Sequence, residues 1–231
     1  MTAEPTISVV IPLYNERAGL EALLGNLRPF NGRCELIFVD GGSGDGTVAA
    51  LEAAGVRALA SAKGRANQMN LGAARSAGEI LWFLHADSVP PANALEEIRR
   101  VIGRGRRLGC FPLRFDSRHP LAAFNALLSN LRVIFRRIAF GDQGIFLERS
   151  LFDELGGFAP IPIMEDYRLS LDARKHGLRI GMARGFITTS ARRYKAGGIL
   201  RTMLRMQALQ HRFRRGDSIE EIAAAYRRMD H

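Results

Sequence analysis

The sequence predicts an α/β protein with a mostly parallel central sheet flanked by helices. Two observations carry this. Through the first ninety residues, short β-branched runs alternate with segments whose apolar residues recur at helical spacing, the pattern of βαβ units. The run Ile80-Leu81-Trp82-Phe83-Leu84 is apolar without a break, which suits a strand buried on both faces. It stops at His85-Ala86-Asp87, and residues two apart on a strand share a face, so His85 and Asp87 project together at its end. Open α/β sheets bind ligands at the carboxyl ends of their strands. From this stretch alone, a metal site and a polar turn ahead of Pro90-Pro91 are both open.

Taken in order, Thr6–Ile11 is a first strand, which Pro12 should end. Leu13-Tyr14-Asn15-Glu16 is a loop, and Ala18 to Leu27 is a helix. Glu35–Asp40 is a second strand, followed by Gly41-Gly42-Ser43-Gly44-Asp45-Gly46-Thr47, a helix from Val48 to Ala54 with Gly55 as its C-cap, and a short strand at Val56–Ala60. Lys63 to Ala77 is helical, and Gly78 stops it before the central strand. Right-handed crossovers then place Pro12–Glu16, Asp40–Thr47 and His85–Pro90 along one sheet edge. Further on, Ala92–Ile102 is a helix and Leu108–Phe115 a strand. Leu121 to Ile138 is a helix with Leu121, Phe124, Leu128, Leu131, Phe135 and Ile138 on one stripe, which could pack on the core or rest on an anionic bilayer surface. Gly141–Leu147 is a turn into a strand, and a short helix from Ser150 ends at Gly156-Gly157. Glu165 and Asp166 open another helix, where the helix dipole favours acids. Leu178–Met182 and Phe186–Thr189 are short strands, and Ile199–Phe213 and Ile219–Tyr226 are Arg-rich helices.

At 231 residues the chain is long enough for a full core, and no linker or repeat divides it, so residues 1–231 are expected to form one domain. Its net charge is +10. Residues 111–231 hold 21 Lys/Arg against 12 Asp/Glu, so the excess lies in the second half and points to an anionic partner or membrane surface there. Aromatic residues do not interleave with the basic clusters, which argues against nucleic acid. Cys34 and Cys110 read as buried free thiols in a reducing compartment. Neither a signal peptide nor a run of the roughly 20 apolar residues that span a bilayer is evident, so the expected location is cytoplasmic, with peripheral contact at the inner face of the membrane as an option.

Glycines let backbone N–H groups approach an anion, so Asp40–Thr47 reads as an anion-binding loop at a helix start. Gly44-Asp45-Gly46-Thr47-Val48-Ala49 matches G-x-G-x-x-A, but the glycines do not follow the strand directly, which argues against a dinucleotide fingerprint. A tight polar turn is the other reading. Together, Ile-Pro-Leu-Tyr-Asn-Glu (11–16), Val-Asp-Gly-Gly-Ser-Gly-Asp-Gly-Thr (39–47), His-Ala-Asp (85–87), Gly-Asp-Gln-Gly-Ile-Phe (141–146), Gly-Gly-Phe (156–158) and Met-Glu-Asp (164–166) resemble the family 2 glycosyltransferases of GT-A (Rossmann-like) fold. With Thr-Ser-Ala-Arg-Arg (189–193), they resemble a subgroup of small bacterial members with His-Ala-Asp in place of Asp-x-Asp.

The resemblance implies an inverting transfer of a single sugar from a nucleotide-diphosphate donor to an acceptor hydroxyl, assisted by Mn²⁺ or Mg²⁺. About 1–88 would form the nucleotide-sugar-binding half and about 89–231 the acceptor side. Asp87 matches the family's metal ligand. His85 stands where the first Asp usually is, and metal contact, ribose contact and strand capping are all open to it. Asp166 matches the general base, with Glu165 beside it. Pro12, Tyr14, Asn15, Glu16, Asp40, Gly41, Ser43 and Arg65 fall on donor positions, and Gly41 replaces an Asp common in the family. Asp142 and Gln143 match an acceptor-side loop, and Arg192 and Arg193 are candidates for the donor diphosphate or an anionic acceptor. Arg201, Arg205, Arg212 and Arg215 lie near one stripe of a helix that could rest on an anionic bilayer, giving a lipid acceptor, or pack on the core with a solvated face. The acceptor is otherwise a small molecule. A sugar-1-phosphate nucleotidyltransferase and a non-catalytic basic membrane adaptor are the rival functions.

Overall fold

A computed structural model describes residues 4–190 and 198–228. The first half runs β1 (Ile7–Leu13), α1 (Leu20–Leu27), β2 (Glu35–Asp40), α2 (Thr47–Ala53), β3 (Ala58–Ala60), α3 (Arg65–Ala74) and β4 (Ile80–Phe83). Then come β5 (Ser88–Val89), α4 (Ala94–Gly103), β6 (Leu108–Cys110), β7 (Leu113–Phe115), α5 (Pro120–Arg136), β8 (Phe146–Glu148) and α6 (Arg149–Glu154). The chain continues through α7 (Glu165–Lys175), β9 (Gly181–Met182), β10 (Ile187–Thr189), α8 (Ile199–Arg215) and α9 (Ile219–Arg227).

Seven strands form the main sheet in the order β3-β2-β1-β4-β8-β6-β9. The pairs β2–β3, β1–β2, β1–β4 and β6–β9 are parallel, and β8 lies antiparallel to both β4 and β6. The sheet is thus mostly parallel and flanked by helices, as expected. A second sheet, β5-β10-β7, stands beside it.

The central strand is buried on both faces, for the reason its unbroken apolar run suggests. Ile80, Trp82 and Leu84 join one layer with Leu20, Leu23, Leu27, Leu95 and Ile98, while Leu81 and Phe83 join the other with Met69, Phe152 and Phe158. Helix α3 sits close on β1 because Gly72 has no side chain. A Cβ there would lie 2.3 Å from Val10 Cγ1.

Several boundaries differ from expectation. Strand β1 continues through Pro12 to Leu13. Leu84 N–H donates to the Val10 carbonyl, so Pro12, two residues on, turns its missing donor toward β4's side. The β4 ladder has already ended there, at the Val10–Phe83 pair, and β2 alone pairs Pro12. The expected strand at 108–115 is two strands in different sheets, divided at Phe111-Pro112. The stripe on α5 does not face the core. Ala122, Ala126, Ser129 and Val133 are its buried residues, and Leu121, Phe124 and Phe135 are exposed. Cys110 is buried and free, whereas Cys34 is only half-buried. Burial pushes the Cys34 thiol up to about 11 and the Cys110 thiol up to about 12. Among the described residues, no helix is long and apolar enough to cross a membrane.

Candidate active site

A cleft of about 750 Å³ opens at the carboxyl ends of β1 and β4. The end of β1 contributes Pro12 and Leu13 and leads into Tyr14 and Glu16, and the end of β4 leads into His85 and Asp87. The turn at Gly141–Gln143 brings Asp142, and the first turn of α7 brings Asp166. Helix α3 adds Arg65 and Gln68. Helices α5 and α8 wall the far side with Asn125, Ser129 and Arg132 and with Thr202, Met203 and Gln207.

Gly141 shows how tightly the centre is assembled. A Cβ at Gly141 would stand 2.4 Å from His85 Nε2 and 3.3 Å from Asp166 Oδ2. Both side chains therefore close on the space that the glycine leaves open. Gly141 N–H donates to Asp166 Oδ2 at 2.6 Å, and Tyr167 N–H donates to Oδ1 at 2.6 Å. Both oxygens of this carboxylate are thereby held in place at the cleft wall. The residue ahead of the helix, Met164, has φ +67°, a left-handed conformation that costs a non-glycine residue free energy and aims the Glu165-Asp166 turn.

Glu165 faces inward. Its side chain is 1% exposed, and Oε1 lies 2.8 Å from Arg65 Nε. Neither Glu165 oxygen receives an aligned hydrogen bond among the described residues. Burial raises the Glu165 pKa, Arg65 pulls it back, and the negative charge of Asp166 adds to the rise. Burial pulls the other way on Arg65, but Glu165 and Asp166 outweigh it and hold the guanidinium above its ordinary pKa. Arg65 thus lines the cleft while anchored to a buried carboxylate, a partner that its place in the sequence does not suggest.

Asp142 has an Oδ1 shut off from solvent and without a hydrogen-bond partner among the described residues. Burial pushes its carboxyl up to about 6; Arg132 pulls it down, and Asp166 and Asp87 raise it. Asp142 therefore feels the carboxylates of Asp166 and Asp87 across the cleft, and the arrangement favours a cation. Among the described residues, no group of three His, Cys, Asp or Glu side chains converges on one point as a complete metal cage. This fits a hard divalent ion held by one or two carboxylates and completed by substrate phosphate, the usual mode for Mg²⁺. Asp87 and His85, the candidates from the sequence for such an ion, both line this cleft.

The glycine-rich loop is arranged differently from the expected anion cradle. Gly42 and Ser43 N–H both donate to Asp40 Oδ2, at 2.8 and 2.9 Å, and Ser43 Oγ donates to Oδ1. Gly44 N–H donates to Asn15 Oδ1 and Asn15 N–H to Ser43 Oγ, while Glu16 N–H donates to Thr47 Oγ1. Those amides are taken up within the second loop and in stitching it to the first, so they are not available to hold a phosphate. Asn15, Asp40, Gly41 and Ser43, expected on donor positions, do not line the cleft, because they are engaged in this loop-to-loop network. Gln68, which sequence reasoning missed, ties the ends of β1 and β2 by donating to the Leu13 and Val39 carbonyls. A Cβ at Gly41 would come within 3.0 Å of that amide, so Gln68 occupies the space a larger residue 41 would need.

Gln143 is fully buried. Its Oε1 accepts from Arg132 Nη2 and from Phe140 N–H, which keeps it beneath the cleft. Arg132, also missed, stacks 3.9 Å from the Phe140 ring centre and reaches the cleft. Its position off the apolar stripe of α5 was the available signal. Tyr14 is half-exposed at the rim, with Lys63 Nζ 2.9 Å from its hydroxyl. Arg192 and Arg193 lie outside the described residues.

The model of a family described as glycosyl transferase family 2 matches residues 8–157, a span that ends ahead of Glu165 and Asp166. Two uncharacterized glycosyltransferases from two strains of Mycobacterium tuberculosis are each 40% identical over 171 residues, covering 68% of this chain and 64% of theirs. The chain thus spans a little under two thirds of those relatives. Among solved structures, glucosyl-3-phosphoglycerate synthase from M. tuberculosis, in complex with Mn²⁺, UDP-glucose and phosphoglyceric acid, superposes with TM-score 0.60. It is 24% identical, covering 80% of this chain and 70% of that one. The mannosyltransferase PcManGT of Pyrobaculum calidifontis, in complex with GDP-Man and Mn²⁺, gives 0.63 at 20% identity, covering 99% and 70%. At such identities the structural likeness speaks to the GT-A fold alone. The family match spans well over half of the chain and takes in both strand ends that open onto the cleft, so this chain belongs to glycosyl transferase family 2.

Proposed function

We propose that this chain forms one transferase domain that moves a single sugar from a nucleotide-diphosphate donor to an acceptor hydroxyl, with inversion at the anomeric carbon. The supporting observation is that Pro12, Tyr14 and Glu16 share one cleft with Asp87 and Asp166, although these lie far apart in sequence. The donor enters at the β1 and β4 ends, over residues 1–88, with Tyr14 placed to stack on the base and Arg65 to face the phosphates. The acceptor enters between α5, α8 and the Gly141–Gln143 turn, with Asp142 as a candidate for its hydroxyls; it is a small molecule or a lipid.

Asp166 is the proposed general base. Its carboxylate takes the acceptor hydroxyl proton as that oxygen bonds the anomeric carbon and the bond from that carbon to the diphosphate breaks. Glu165 positions Arg65 and stays out of the cleft. A divalent cation at Asp87 supplies Lewis-acid neutralisation of the leaving diphosphate when bound.

The test is a thermal-shift panel of UDP-, GDP-, CDP- and dTDP-sugars, with and without Mn²⁺. One nucleotide should raise the Tm in a Mn²⁺-dependent manner, and Asp87→Ala should abolish the rise. Asp166→Asn should keep the rise and lose nucleoside diphosphate release. No response to any nucleotide would refute the reading.

A further inference from the structure

Helix α5 has its amphipathicity turned outward. Its buried face carries only Ala122, Ala126, Ser129 and Val133, and its large apolar residues face solvent. Leu121, Phe124, Leu127, Ile134 and Phe135 are between 39% and 78% exposed, and their spacing places them on one contiguous face. A water-facing helix normally shows the reverse distribution. Helix α8 packs against α5 and exposes Leu200 and Leu204 in its first turns. The other sides of both helices wall the cleft, through Asn125 and Ser129 on α5 and Thr202 and Met203 on α8.

The charge carried by these two helices has one sign. Neither helix contains an Asp or a Glu. Arg136 closes α5, and Arg201, Arg214 and Arg215 are exposed on α8. Arg212 is neutralised by Asp217 and Glu221, which leaves the others to face outward. An apolar face edged by arginines matches an anionic bilayer, whose acyl boundary receives the aromatic and aliphatic groups while its headgroups meet the guanidinium groups. A second copy of the chain matches it poorly. An isologous contact would set each arginine edge against its own copy, with no acidic residue on either helix to offset the repulsion.

We infer that the outer face of α5 and α8 docks this protein on an anionic membrane surface. The docking does not depend on the transferase reading. Its consequence, that the acceptor reaches the cleft from the bilayer, does rest on that reading.

The experiment is co-sedimentation of the full chain with phosphatidylcholine vesicles and with vesicles in which part of that lipid is replaced by phosphatidylglycerol, without nucleotide. Binding to the anionic vesicles should be stronger by at least about tenfold and weaken with salt. Ile134→Glu with Phe135→Glu should remove it while leaving the Tm in place. Phe135→Trp gives a second readout that survives if the double variant fails to fold. Trp82 is the chain's one tryptophan and is fully buried, so the new indole should report insertion as a blue shift on adding anionic vesicles. Absent or equal binding to the two vesicle types, or no blue shift, would overturn the inference. So would a solution dimer that the double substitution converts to monomer.

Discussion

The pair formed by Arg65 and the buried Glu165 gives the sharpest test of how the site is held together. Arg65→Met keeps the bulk of the stem and removes the charge, leaving a carboxylate that is 1% exposed with no cation beside it. With charge centres about 4 Å apart and an effective dielectric near 20, the lost attraction is roughly 4 kcal/mol. Breaking one side of a buried pair typically costs about 3–5 kcal/mol. Arg65 is itself 39% exposed, so its loss should fall near the low end, about 3 kcal/mol. Urea unfolding at pH 8 would read this as a lower midpoint with an unchanged slope. The deficit should depend on pH. Burial already raises the Glu165 pKa, and without Arg65 it rises further, so the native state binds a proton that the unfolded state releases. Stability of the variant then falls as pH rises through the folded pKa, so the deficit should be smaller at pH 5 than at pH 8. Adding Glu165→Gln should restore most of the loss. A variant within about 1 kcal/mol of the parent at pH 8, or a deficit equal at both pH values, would refute this account.

Asp142 titrates in the same direction for a related reason. With its carboxyl raised to about 6, the native state resists ionisation, so stability should fall as pH rises from about 4 to 7. Asp142→Asn should remove that slope and stabilise the protein at pH 8 by about 2 kcal/mol; a parallel slope in melts from pH 4 to 8 would contradict it. Gly141→Ala displaces His85 and crowds Asp166, so nucleoside diphosphate release should drop at least about tenfold with about 1–2 kcal/mol lost from stability, and unchanged turnover would disprove the crowding. Arg137 ends α5 at φ +57°, so Arg137→Gly should raise stability by about 1 kcal/mol in urea melts; a fall would mean its side-chain contacts outweigh the backbone strain.

The α/β alternation, the central strand and the positions of Asp87 and Asp166 were legible in the sequence because they rest on local patterns. An unbroken apolar run has to be buried on both faces, and an acidic pair ahead of a helical period marks a helix start. What the glycine-rich loop does was not legible. Its composition shows that backbone amides are accessible, but only the fold shows that Asp40 and Asn15 take them. Pairing of charges across the chain was equally hidden: nothing local connects Arg65 with Glu165, a hundred residues on, or Gln68 with the space over Gly41. The direction of the α5 stripe was hidden too, because periodicity shows that a helix has an apolar face and does not say which neighbour lies against it. The sequence by itself determined the fold class, since burial and turn chemistry act over a few residues, and it pointed to the family through the resemblance that its ordered motifs carry. Which amides stay free, which charges are neutralised and which apolar face is left uncovered were decided only by the tertiary structure, because each depends on groups that folding brings together from distant parts of the chain.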